Sequence, residues 1–152
     1  MKNQIIITEK NFNRLKDQVK KNSDKEIIFT SNDDDLNRKV LEKLKVQILL
    51  LNVSNRKDKM KQRDSGFNQV LAKIAKKNNI TIGINFDEIV ESKNAIEKAK
   101  IISRIKQNIR LCNKNKVKMK FLAIDSKNER NAHDLKAIGL TLGMPTWMTK
   151  FF

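Results

Sequence analysis

Along the chain, short unbroken apolar runs alternate with longer stretches in which apolar positions recur every three or four residues. The runs fall at residues 5–8, 26–30, 46–53, 80–85 and 119–124, each of strand length. Between them, Phe12, Leu15 and Val19 make one helical stripe, and Leu36, Val40, Leu41 and Leu44 make a second. Asp33, Asp34 and Asp35 stand where a helix N-terminus favours negative charge. Val70, Leu71, Ile74 and Ala75 form the predicted inward face of a third helix, with Asp64 and Ser65 as its expected caps. A long helix is predicted over 95–115 from Ile101, Ile102, Ile105, Ile109 and Cys112, and a last one holds Leu135, Ile138 and Leu142.

Strand followed by helix, repeated, is the pattern of a parallel sheet covered by helices. The runs are continuously apolar, as strands buried on both faces require. Five units are visible where a closed barrel of this kind has eight. The expected fold is therefore α/β, a reduced or distorted TIM-like (β/α) barrel, in one domain over 1–152. An open sheet edge needs cover. The tail at 145–152, with Trp147, Met148, Phe151 and Phe152 and preceded by Met144, is too apolar to stay solvated. It is expected to pack on the protein's own sheet or helices, or else to meet a partner.

Charge changes this picture from fold to function. Thirty-three Lys and Arg face 17 Asp and Glu, a formal charge of +16. Such an excess repels itself and suits a polyanionic partner. Membrane is the weaker polyanion here, because the longest apolar runs fall far short of the roughly 20 residues needed to span a bilayer. The N-terminus has three isoleucines where a signal peptide wants about 7–15 apolar residues. One Cys allows no internal disulfide. Together these predict a soluble intracellular protein that makes no membrane contact.

The cations are not spread evenly. Arg56, Lys57, Lys59, Lys61 and Arg63 occupy the segment after the third strand, and Lys73, Lys76 and Lys77 the helix that follows. The long helix adds Arg104 and Arg110 off its isoleucine stripe. In a parallel barrel the loop after a strand lies on the usual binding face. Few aromatics interleave with these cations, which disfavours a stacking platform for single strands and favours the backbone of folded RNA. These ten residues are the candidate RNA contacts. No catalytic or metal site is expected. One His and one Cys cannot build a His-rich metal cluster, and the four glycines form no phosphate loop. Cys112 reads as a core residue, Asp33–Asp35 as a helix start, and His133 as a cap or surface residue with RNA contact as the other reading.

The segment Arg63-Asp64-Ser65-Gly66-Phe67-Asn68-Gln69-Val70-Leu71-Ala72-Lys73 resembles the signature of the ribonuclease P protein component 3 family, the thirty-kilodalton subunit of archaeal and eukaryotic enzymes. Ordered matches surround it: Thr30 to Asp33, Asn55 to Asp58, residues 80–86, Ser103-Arg104 through Asn108 and Leu111, Asp134-Leu135, and Gly139 to Met144. The resemblance covers about residues 46–144 and extends from about 26. The chain departs from the family pattern at Lys59 to Arg63, so the basic–acidic pair occurs twice, at Lys57-Asp58 and Arg63-Asp64. It is also short, and is expected to lack the first strand–helix units of the family barrel and much of its C-terminal extension.

The resemblance implies an RNA-binding subunit that assists a catalytic RNA in removing the 5′ leader of precursor tRNA. It implies three partners: ribonuclease P RNA, ribonuclease P protein component 2 and precursor tRNA. It implies no cofactor on this chain, with Mg²⁺ serving the RNA of the holoenzyme. It places the protein in archaeal cytoplasm, or in the nucleus if eukaryotic. Because the family fold is related to metal-dependent phosphoesterases, the alternative function is a free-standing phosphoesterase on a reduced barrel.

Overall fold

The computed structural model describes residues 3–152. Strands β1 (Gln4–Ile7), β2 (Glu26–Thr30), β3 (Ile48–Leu51), β4 (Thr81–Asn85) and β5 (Met119–Leu122) form one sheet. Every neighbouring pair is parallel, and the spatial order is the chain order. Parallel crossovers are almost always right-handed. Sequential order therefore places the connecting helices on one side of the sheet, as in a (β/α) barrel. They are α1 (Phe12–Lys21), α2 (Asp34–Lys43), α3 (Gln69–Lys77), α4 (Phe86–Val90), α5 (Ala95–Asn115), α6 (Ala132–Thr141) and α7 (Thr146–Thr149).

The main core lies between this helical layer and the strand residues that face it. Ile7, Ile27, Phe29, Leu49, Leu51, Ile82, Ile84, Met119 and Phe121 meet Leu15, Val40, Leu41, Ile101, Ile105 and Ile109 there. Each fully buried Leu, Ile or Phe contributes about 1.5–3 kcal/mol relative to exposure. The alternate strand residues Ile28, Ile48 and Leu50, with Leu122, form a separate cluster on the other face. Gly83 belongs to that face, and a Cβ there would come within 3.0 Å of Leu50 Cδ1 and 3.1 Å of Ile48 Cγ2. β2, β3 and β4 are buried on both faces as expected, while β1 and β5, paired on one side only among the described residues, are half-exposed.

The tail packs on the protein itself. Met148 is fully buried, Trp147 Nε1 donates to Asn113 Oδ1 at 3.0 Å, and the Phe152 ring meets Phe121 edge to face at 5.7 Å. Phe151 stays half-exposed under the Lys118 ammonium.

Two local expectations are corrected. Asn68, not Asp64 or Ser65, caps α3, because Asp64 is occupied by Gly66 N–H and Arg56 while the Ser65 hydroxyl donates to Phe67 O. With the start shifted, Val70 is 53% exposed and Ala72 takes its place in the core. Asn131 caps α6 by accepting from Asp134 N–H, and His133, read as a cap or surface residue, is an exposed residue of the first turn. The short helices α4 and α7 were not predicted, since one turn leaves too few positions to show a period.

Candidate nucleic-acid interface

Because all five strands run the same way, the segments after β2, β3, β4 and β5 meet along one edge of the sheet. Side chains stitch that edge together. Asn52 Nδ2 donates to Thr30 Oγ1 and Asn32 Oδ1, and Asn85 Nδ2 donates to Asn52 Oδ1. The Glu88 carboxylate accepts the amides of Val53 and Ser54 at 2.8 and 2.7 Å. The Asp87 carboxylate accepts the amides of Ile124 and Asp125 and the Asn128 side chain. Asp125 accepts the Lys127 amide and pairs with its ammonium, which together hold its pKa below the usual carboxylate range. Asp33 caps α2 by accepting the amides of Asp35 and Leu36. Thus these carboxylates work as backbone clamps.

The basic segment after β3 sits on this edge, and two arginines hold it. Arg104 reaches out of α5 with only 3% of its surface exposed. Its guanidinium donates to Val53 O at 2.9 Å, to Arg56 O at 2.8 Å and to Asp58 Oδ1 at 3.2 Å. Gln107 and Asn108, one turn further along α5, donate to Arg63 O and Ser65 O. Arg56 donates to Asn52 O, forms a two-pronged pair with Asp34 at 2.9 and 3.0 Å, and reaches Asp64 at 3.3 Å. Burial pulls the Arg56 pKa down, but bonds and charges from Asp34 and Asp64 outweigh it and the net direction is up. Gly66, at φ +70°, lies under that guanidinium. A Cβ there would stand 2.3 Å from Arg56 Nη2, so the backbone favours glycine and any side chain would push the guanidinium off its partners.

Between these anchors, residues 59–62 form a miniature hairpin. Lys59 and Gln62 exchange backbone hydrogen bonds of 2.8 and 3.2 Å, with Met60 and Lys61 at the tip. Asp58 Oδ1 closes its base by accepting the Asp64 amide. That bond, ahead of the nearby Arg104 and Arg63, holds the Asp58 pKa low against the opposing effect of burial. Lys57, Lys59, Lys61 and Arg63 are exposed, and no ion pair among the described residues uses them. A cleft of about 400 Å³ runs beside the hairpin, its walls including Arg38, Lys59 and Arg63 as well as Asp34 and Asp64.

The ten predicted contacts therefore divide. Lys57, Lys59, Lys61 and Arg63 share one projecting loop, and Lys73, Lys76, Lys77 and Arg110 are exposed on α3 and α5, which pack together. Arg56 and Arg104 instead spend their donors inside the protein, against the expectation that they face outward. The strip Arg104, Gln107 and Asn108 escaped the sequence reading as a loop-holding device. Its signal is polar residues at helical spacing flanking an isoleucine stripe on one long helix.

No protein-family model matches the chain. Ribonuclease P protein component 3 from two strains of Methanococcus maripaludis is 31% identical over 112 residues, which are 72% of this chain and 45% of the relative. That from a third strain is 30% identical over the same length. A chain in the cryo-EM structure of archaeal ribonuclease P with mature tRNA superposes with a TM-score of 0.78 at 25% identity, over 98% of this chain and 63% of that one. The chain thus spans less than half the length of the curated relatives it matches.

Proposed function

The chain is a relative of the ribonuclease P protein component 3 family, and from that premise we propose that it is an RNA-binding subunit of ribonuclease P. In this reading it assists the catalytic RNA in removing the 5′ leader of precursor tRNA and breaks no bond itself. Ribonuclease P RNA, precursor tRNA and protein component 2 are its partners. Mg²⁺ serves the RNA and not this chain.

One observation carries the reading. A loop rich in cations projects from the strand-end edge of a (β/α) sheet, and the protein gives the buried Arg104 and the partly buried Arg56 to holding that loop. The exposed Lys57, Lys59, Lys61 and Arg63 enter no ion pair among the described residues, in a chain of charge +16. Such cations bind phosphate by releasing counterions, so affinity falls steeply with salt. Folded RNA is read mostly through backbone and shape, which suits a loop lacking aromatic residues between Asn55 and Gly66.

The test is a salt series of RNA affinity for the chain and for its Lys57→Gln/Lys59→Gln/Lys61→Gln/Arg63→Gln variant. Each lost contact should lower the slope of log affinity against log salt by about 0.7–0.9. A variant with unchanged affinity and slope sinks the loop assignment.

A further inference from the structure

Met60 stands apart from the other apolar side chains. It is 100% exposed, against 71% for Ile96, the next among the described large apolar residues. Single exposed apolar side chains are ordinary on a protein surface, so the setting of Met60 has to carry the argument. It is the only large apolar residue between Val53 and Phe67, and it sits at the tip of the 59–62 hairpin. Lys59 and Lys61 flank it in sequence, and both are exposed.

The hairpin holds that tip away from the core. Asp58 Oδ1 accepts the Asp64 amide at 2.8 Å and the Arg104 guanidinium at 3.2 Å, while Gln107 Nε2 donates to Arg63 O at 3.2 Å. The base of the hairpin is thus tied on both of its strands. Val53 and Phe67, the apolar residues nearest along the chain, are already buried in the main core. Met60 takes no part in that core. The fold therefore supports an apolar side chain in water, on a fixed projection, amid the densest run of cations in the chain.

Charge decides what meets the tip. Lys59 and Lys61 draw phosphates to either side of Met60, and between neighbouring phosphates of one strand lies a nucleoside. In a paired A-form helix the base faces are stacked away, and the open groove shows 2′-hydroxyls and base edges. A thioether is a poor hydrogen-bonding partner for those groups. An unpaired nucleotide leaves its base face free, and methionine sulfur packs favourably on aromatic rings. We propose that Met60 packs on the base of an unpaired nucleotide in the bound RNA, while Lys59 and Lys61 hold the flanking phosphates. The proposal rests on the RNA-binding reading and adds to it a contact that does not depend on charge.

Two RNA duplexes serve as probes, one carrying a single bulged adenosine and the other fully paired. The chain is labelled at its methionine methyl groups, five in all, and the resonance lost in Met60→Ser is that of Met60. At a salt concentration where both duplexes bind, the bulged one should move the Met60 resonance upfield by ring current, and the paired one should leave it in place. Met60→Ser should keep the parent's melting temperature and bind the bulged duplex about 3–10-fold more weakly, as half-burial of a Met side chain implies. Its salt slope should match the parent's, whereas Lys57→Gln/Lys59→Gln/Lys61→Gln/Arg63→Gln lowers the slope. An unmoved resonance, equal movement with both duplexes, or parental affinity in Met60→Ser overturns the base contact. A steep parental slope in the same series then leaves the wider RNA reading standing, and a parent that binds neither duplex overturns both. Movement with vesicles of phosphatidylcholine and phosphatidylserine, and none with bulged RNA, assigns the tip to a lipid surface and overturns the proposal.

Discussion

Arg104 is the residue on which sequence and structure diverge most, and its replacement by Met measures the difference. The change keeps length and apolar bulk and removes every donor. Two bonds disappear to carbonyls that Arg104 alone serves, those of Val53 and Arg56. Bonds from a charged donor are worth about 1.5–3 kcal/mol each. The bond to Asp58, whose side chain is 38% exposed, adds little. The sum is about 3–6 kcal/mol, and the about 3–5 kcal/mol seen when one member of a buried pair is removed is the working range. Domains carry about 0.05–0.15 kcal/mol per residue, so Arg104→Met should still fold. At about 2–4 °C per kcal/mol, its melting temperature should fall by roughly 6–20 °C. Urea unfolding followed by circular dichroism reads the loss directly. The exposed Arg110→Gln, on the same helix, should stay within about 0.5 kcal/mol of the parent. If Arg104→Met costs less than about 1 kcal/mol, the loop is not held as described.

Four further outcomes follow from the same geometry. Gly66→Ala should destabilise more than Gly143→Ala in the same unfolding assay. Both positions have positive φ, costing about 1–2 kcal/mol, but only Gly66 also displaces Arg56; equal losses would contradict the packing. Met148→Ala should cost about 2–5 kcal/mol as a fully buried side chain, and a near-neutral result would mean that the tail does not cover the sheet. Asp58 has a folded pKa below its unfolded value, so its contribution is complete above pH 3.8 and is lost as pH falls through the lower folded value. The Asp64 amide resonance should accordingly titrate with a midpoint below 3.8, and a midpoint at or above it would break the clamp at the hairpin base. Gln69 and Asn115 exchange amide hydrogen bonds between α3 and α5. Gln69→Ala should therefore cost about 1 kcal/mol, read by the same denaturant midpoint, and no shift would show the exchange to be dispensable.

The strands and the long helix were legible because each carries a strong local signal. Five apolar runs gave five parallel strands, and the stripe from Ile101 to Cys112 gave a helix with the predicted bounds. The cap of α3 was not legible. Asp64, Ser65 and Asn68 are all good capping residues, and only Arg56 folding back across the loop decides among them. The same long-range contact hid the roles of Arg56 and Arg104. In sequence they are two cations among many. In space Arg104 reaches the Val53 carbonyl 51 residues away, and Arg56 reaches the Asp34 carboxylate 22 residues away, pairings that sequence alone does not bring together. Lys57, Lys59, Lys61 and Arg63 stand out in the sequence as a local run of cations, and the structure leaves all four exposed.

In the proposed function this small sheet holds a cationic loop in place so that folded RNA can be gripped by its backbone. The direct measurement is leader removal from precursor tRNA by the cognate RNA and protein partners, with the chain supplied as parent or as Lys57→Gln/Lys59→Gln/Lys61→Gln/Arg63→Gln. The parent should raise the rate at moderate salt, and the variant, folded to the same stability, should fail to do so. Equal stimulation by the two proteins would contradict it.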